Sequence, residues 1–285
     1  MAGYIGAFWP PEAVFSMALL ELLESLASRL LRRLGLLQAA DWFRYLVLWA
    51  YYRRRHRAFC QAHPDFPLPP GYLMYESFGL NVRAYAEGGR QTASWLLDLV
   101  APHLQEKKMR VLDWGCGPGR VVRHFESLTA GRTTLFASDV NTRSLNWCRE
   151  NIRGVTFLNQ GLLPPLGLEA KSLDLIYGIS ILTHLSLEAQ ERWLGELGRL
   201  LRHGGILLLT TQGESFRSKL SQAEIACFEK GNPVVRGGVK EGHRTWSCFH
   251  PATAVPKLLS GFIVLRHLPG QGKAQDVWIA ERKAK

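Results

Sequence analysis

Cysteine pairs are missing from this chain. Its five cysteines stand at 60, 116, 148, 227 and 248, with no C-x-x-C spacing. No disulfide framework or cysteine metal site is expected, and a reducing, cytoplasmic setting fits. No metal is indicated, because no His/carboxylate cluster has ligand spacing. No secretory leader is expected either. The first residues lack a basic region, and Glu21 and Glu24 interrupt the first apolar stretch. Long apolar runs are absent. The longest run free of Asp, Glu, Lys and Arg is Gly154 to Leu168, which holds two prolines. It falls short of the roughly 18 residues a membrane-spanning helix needs. No internal repeat and no low-complexity segment is present. Acids are scarce in one region: between Arg29 and Arg57 there are eight arginines and one acid, Asp41. The formal charge of +11 therefore sits mainly near the N-terminus. It attracts polyanions non-specifically, so nucleic acid and anionic lipid stay in view.

The chain is organised around Val111-Leu112-Asp113-Trp114-Gly115-Cys116-Gly117-Pro118-Gly119-Arg120. An apolar run from Met109 reads as a buried strand, the glycines as a tight loop, and Val121 to Leu128 as a helix. This is the strand–loop–helix of an α/β nucleotide-binding unit. A dinucleotide fold asks for a third small residue where Arg120 stands. A phosphate-binding loop asks for Gly-Lys-Ser/Thr, which is absent. The remaining pattern, Asp113-x-Gly115-x-Gly117-x-Gly119, resembles motif I of the class I S-adenosylmethionine (SAM)-dependent methyltransferases.

Later segments follow that family in order. Thr133 to Ala137 reads as strand two, ending at Ser138-Asp139, and Asp139 lies twenty residues past Gly119. A carboxylate there can accept both ribose hydroxyls, or cap the helix over 141–151, where Asn141 is an equal choice. Val155 to Asn159 is strand three, and Leu173 to Gly178 strand four. Helix 187–201 precedes a stop at His203-Gly204-Gly205 and then strand five, Ile206 to Thr211. Two strands, Phe262–His267 and Asp276–Ala280, resemble the family's closing reversed hairpin. The resemblance covers roughly residues 80–283. It implies a Rossmann-like α/β sheet of order 3-2-1-4-5-7-6, last strand antiparallel, with SAM as cofactor.

By that resemblance Asp113, Gly115, Cys116, Gly117 and Gly119 hold the methionyl end. Asp139 with Val140 takes the ribose. Asn159, Gln160 and Gly161 meet the adenine, and Ser180 lies at the strand-four edge. His184 is the choice for a general base, since imidazole titrates near neutrality; a core-rim histidine is the plain alternative. Cys116 reads as a small loop filler rather than a reactive thiol. Tyr85 and Arg90 are lid candidates. His243, Trp246 and His250, in an insert near 214–256, are substrate candidates.

The run Asn/Asp-Pro-Pro-Tyr of amino-methylating enzymes is absent after strand four, where Tyr177-Gly178-Ile179-Ser180 stands. A hydroxyl of a small molecule, such as a sugar or a membrane-associated metabolite, is therefore the expected acceptor. RNA methylation and a non-catalytic SAM-binding scaffold are the alternatives.

Residues 1–70 read as a helical extension and 71–285 as the methyltransferase domain, with the prolines at 64–70 as boundary. Residues 12–34 form one amphipathic pattern. A second helix is expected after Asp41 as N-cap, carrying Trp42, Phe43, Tyr45, Leu46 and Trp49 and ending in Arg53-Arg54-Arg55-His56-Arg57. Packing on the domain or a second subunit is one reading of residues 12–57, and peripheral contact with anionic lipid is the other.

Overall fold

The protein is described as a computed structural model, which defines residues 30–104 and 108–284. The expected helix over 12–34 lies almost wholly outside the described residues. The strands are β1 (Met109–Trp114), β2 (Thr133–Asp139), β3 (Val155–Asn159), β4 (Leu173–Gly178), β5 (Leu201–Thr211), β6 (Val234–Arg236), β7 (Ser247–Phe249), β8 (Phe262–Leu268) and β9 (Asp276–Arg282). Seven of them form one sheet of order β3-β2-β1-β4-β5-β9-β8. The first five run parallel, and β9 is antiparallel to both its neighbours. This is the expected order. The small β6–β7 ribbon comes earlier in the chain, so β9 and β8 fill the seventh and sixth places.

The apolar runs are strands because the sheet is covered on both faces, which removes the usual polar alternation. Helices α1 (Leu37–Ala62), α2 (Gly71–Ser77), α3 (Val82–Val100), α4 (Phe125–Leu128), α5 (Thr142–Asn151), α6 (Leu187–Leu200), α7 (Gln222–Glu229) and α8 (Val255–Leu258) complete the fold. Leu112, Trp114, Ile176, Leu207 and Leu209 point to one face and pack with Trp193, Leu194 and Leu197 of α6. Their neighbours Val111, Leu135, Leu175, Tyr177 and Leu208 point to the other and pack with Ala93 and Leu96 of α3 and Leu145 of α5. Each fully buried large side chain contributes about 1.5–3 kcal/mol.

Local signals were overridden in three places, and one choice left open by the sequence is decided. Helix α1 starts at Leu37, before Asp41, and no side chain caps it. Asp41 instead accepts the Tyr75 hydroxyl (2.7 Å) and pairs with Arg244 (3.0 Å). Asn141, not Asp139, caps α5, accepting the N–H groups of Arg143 and Ser144. The helix after the glycine loop is a 3-10 turn, Val122–His124, followed by the single α-turn of α4. His203-Gly204-Gly205 does not stop a helix; it is an irregularity inside β5, where the register against β4 shifts and Gly204 takes φ +72°.

Tyr45, Leu48, Trp49, Tyr52 and Phe59 of α1 pack against Met74, Tyr75 and Tyr85, together with Phe66 and Leu68 of the proline-rich stretch. Gly71 permits this contact, since a Cβ there would lie 2.7 Å from the Trp49 ring. The prolines at 64–70 are thus built into packing shared by residues on both sides. No helix among the described residues is long and apolar enough to cross a membrane.

Candidate active site

Strand order reverses between β1 and β4, so the loops leaving their C-terminal ends diverge and open a crevice. A cavity of about 600 Å³ lies there. Its floor comes from Gly115 and Gly117 after β1, Asp139 to Ser144 at the end of β2 and beyond, Gln160 to Leu162 after β3, and Ile179, Ser180, Ile181, His184 and Leu185 after β4. Its roof comes from Tyr72, Leu73, Glu76 and Ser77 of α2 and from Lys240 to Arg244 of the insert. The volume suits a ligand of nucleoside size.

The glycine loop is held by its own backbone. The N–H groups of Gly115 and Cys116 both reach the Ser138 carbonyl (2.8 and 2.9 Å). Gly115, Gly117 and Gly119 all have positive φ. A Cβ at Gly115 would overlap the Ile181 side chain, and one at Gly119 the Ile152 side chain. Two of the three glycines therefore answer to protein neighbours as well as to the turn. Gly115→Ala is expected to cost about 1–3 kcal/mol from the left-handed backbone and the overlap. Denaturant unfolding checks this, and adding Ile181→Ala should recover only the overlap part.

Asp139 is the best-defined acid of the site. One carboxylate oxygen accepts the Gly117 N–H and the other the Asn141 N–H, each at 2.7 Å. A carboxylate has about four lone-pair positions, so each oxygen keeps one toward the cavity. Burial raises its pKa, and the two N–H bonds oppose that shift. Gln160 lines the same wall and has a buried side-chain oxygen with no hydrogen-bond partner. These two features, an acceptor pair and an orphaned acceptor beside a glycine cradle, fit the hydroxyls and amino group of an adenosine.

Gly115, Gly117, Asp139, Val140, Gln160, Gly161, Ser180, His184 and His243 all line the cavity. Asp113 does not. It lies buried beneath the loop, and desolvation, with Asp139 nearby, pushes its pKa up to about 7. Cys116 is buried, with its thiol directed at the Gly117 carbonyl (3.3 Å); burial pushes that thiol well above its usual pKa. It is an inert filler. Gly119 faces Ile152, and Asn159 accepts a bond from Arg149 (3.3 Å); neither is on the wall.

Tyr85 is a correction. It is fully buried, and its hydroxyl donates to the Pro118 carbonyl (2.6 Å), so it supports the loop from below. Arg90 is exposed on α3, away from the cavity. The residues over the cavity come from one helix earlier, with Tyr72 and Glu76. His250 is a second correction. It is buried against Gln190 (Nε2 to Oε1, 2.9 Å), and desolvation lowers its pKa to about 4. Trp246 contributes its backbone rather than its ring to the site.

His184 is placed by that backbone. Its Nδ1 lies 3.0 Å from the Trp246 carbonyl. A carbonyl only accepts, so Nδ1 carries the proton and Nε2 keeps its lone pair. The His184 carbonyl in turn accepts the Gly242 N–H (2.9 Å). Desolvation lowers the pKa of the ring, so its neutral, basic form dominates at pH 7.

Ser180 has φ +64°, unusual for a side-chain-bearing residue. Its N–H donates to Thr210 (2.7 Å), and its hydroxyl takes a bond from Gln275 (2.9 Å). Such over-determined strain is a mark of functional loops.

Several wall residues carried no local sequence signal. Glu76 accepts from the Asn141 amide (3.2 Å) and lies 4.0 Å from His243. Arg244 stacks 4.2 Å over the Tyr75 ring while paired to Asp41.

Fold and crevice together are those of a Rossmann-like α/β protein, with the sheet order seen in class I methyltransferases. Residues 111–205 match the family model described as a methyltransferase domain. The malonyl-[acyl-carrier protein] O-methyltransferase of Pectobacterium atrosepticum is 33% identical over 139 residues, 49% of this chain and 51% of that protein. The chain thus spans about half the length of that curated relative. Streptomyces venezuelae DesVI shares the fold with a TM-score of 0.54 at 16% identity, covering 76% of this chain and 100% of its own. The magnesium protoporphyrin IX methyltransferase ChlM of Synechocystis, solved with bound SAH, gives a TM-score of 0.48 at 16% identity, covering 84% of this chain and 99% of its own.

Proposed function

We propose that the chain transfers a methyl group from SAM to a hydroxyl oxygen of a small acceptor, with His184 as general base. The observation that carries the reading is His184, a residue of the cavity wall whose Nδ1 is engaged by the Trp246 carbonyl, which leaves Nε2 as the basic nitrogen. SAM, when bound, supplies an activated methyl. Everything else is binding, orientation and proton removal by the protein.

Asp139 takes the ribose diol, Gln160 the adenine edge, and the backbone of Gly115 and Gly117 the amino-acid tail. Asp113 acts from beneath, fixing the loop. His184 removes the acceptor's proton as its oxygen becomes nucleophilic, and later returns it to solvent. Tyr72, His243 and Arg244 of the roof shape the acceptor side. The walls balance Arg143, Lys240 and Arg244 against Glu76, Asp139 and Glu241. A balanced wall suits a small polar acceptor better than the phosphate chain of RNA.

The test is release of S-adenosylhomocysteine by the purified chain with SAM and pooled hydroxyl compounds. Release that needs both an acceptor and His184 supports the reading. SAM binding in calorimetry without turnover on any acceptor would instead favour a SAM-binding scaffold.

A further inference from the structure

Helix α1 is apolar on two sides, and only one side is accounted for. Its inward residues Tyr45, Leu48, Trp49, Tyr52 and Phe59 pack on α2 and the proline-rich stretch. Its outward residues Trp42, Phe43, Leu46, Val47 and Tyr51 are exposed. Eight of the sixteen large hydrophobic side chains exposed among the described residues fall between Leu30 and Tyr51. A helix apolar all round asks for cover on both sides.

The charge on the same face indicates the cover. At 3.6 residues per turn, Trp42, Phe43, Leu46, Val47, Arg53, Arg54 and Arg57 share an arc of roughly 140°. Trp42 and Arg57 lie about 22 Å apart along the axis. Residues 30–62 contain seven arginines and one acid. That acid, Asp41, is already committed to Tyr75 and Arg244. The outward arginines 53, 54 and 57 are exposed. Among the described residues no acid pairs with them, so the complement is an anionic surface with an apolar layer beside it.

We propose that this face of α1 docks on an anionic lipid bilayer. Its aromatic half enters the boundary between headgroups and acyl chains, and its arginines rest on lipid phosphates. A second copy of the chain fits less well, since pairing two such faces adds positive charge to positive charge. Docking also positions the site. The inward face of α1 holds α2, which roofs the cavity with Tyr72 and Glu76, and Asp41 ties Arg244 of the insert to α1. The proposal stands apart from the methyl-transfer reading, because lipid binding needs neither cofactor nor acceptor.

The experiment is sedimentation of the full chain with phosphatidylcholine vesicles, with and without phosphatidylglycerol. Pelleting is expected only with phosphatidylglycerol. Each arginine near the surface is worth roughly fivefold in partitioning, so Arg53→Gln/Arg54→Gln/Arg57→Gln should weaken it about a hundredfold. Trp42→Ser/Phe43→Ser should abolish the binding that survives at high salt, with SAM affinity and melting temperature unchanged. No pelleting with phosphatidylglycerol overturns the proposal. So does pelleting that both variants leave intact. A stable dimer in light scattering that Trp42→Ser/Phe43→Ser converts to monomer assigns the face to a second copy and likewise overturns it.

Discussion

Asp139→Asn should weaken SAM binding by roughly a hundredfold or more, nearly as much as Asp139→Ala. The substitution looks conservative and is not. In the native loop both carboxylate oxygens face backbone donors, Gly117 on one side and Asn141 on the other. An amide keeps one oxygen and turns an NH₂ group toward the second donor. One buried N–H then loses its acceptor and meets another donor. The ribose diol loses one of its two acceptors at the same time. Glu cannot substitute either, since its extra methylene pushes the carboxylate past both N–H groups. Calorimetric titration with SAM and with S-adenosylhomocysteine measures the effect. Both ligands carry the same ribose, so both should weaken alike. Wild-type affinity in Asp139→Asn would remove Asp139 from the cofactor site.

The parts of this site that were legible in the sequence are those that local backbone demands dictate. Three glycines at alternate positions announce a loop with positive φ, and the loop is where they put it. Apolar runs between polar turns marked the five parallel strands, because burial on both faces leaves continuous hydrophobic stretches, while their order and the closing hairpin were read from the family resemblance. What depended on distant packing was hidden. Asp41 is a good N-cap by type, yet α1 extends a turn before it, since aromatic contacts with α2 outweigh one cap. Arg244 lies in an irregular insert with no periodicity, and only the tertiary fold brings it beside Asp41 and Tyr75. Tyr85 was within reach of the sequence. It falls on the buried stripe of α3 with Val82, Ala86, Gly89, Ala93 and Leu96. A tyrosine on that stripe packs inward, and its hydroxyl finds a carbonyl rather than a ligand. The tautomer of His184 could not be read at all, because the carbonyl that sets it belongs to Trp246, 62 residues further along the chain.

His184→Gln should lower kcat by about 10²–10⁴-fold while leaving SAM affinity within a few-fold of wild type. Gln sets its amide nitrogen one bond further out than Nδ1. His184→Asn, whose amide nitrogen stands where Nδ1 does and can donate to the Trp246 carbonyl, is therefore the companion variant that keeps the loop's shape and should lose the same activity. Neither amide has a basic nitrogen to take the acceptor's proton. The pH profile separates this loss from a merely structural one. The native ring has its pKa lowered from 6.5 by burial, so it is protonated only in acid. Protonated imidazole cannot act as a base. Wild-type kcat/KM should therefore fall about tenfold per pH unit below that lowered pKa and level off above it. In His184→Gln this acid limb should vanish from the small residual rate. Asp113 also titrates near neutrality, at about 7, but it lies beneath the loop and off the cavity wall. An inflection near 7 that survives the substitution therefore belongs to Asp113 and to cofactor binding. An acid limb that persists unchanged, with kcat near wild type, would mean that the acceptor loses its proton elsewhere. His243, on the same wall with its Nδ1 2.8 Å from the Thr245 hydroxyl, would then be the group to replace next.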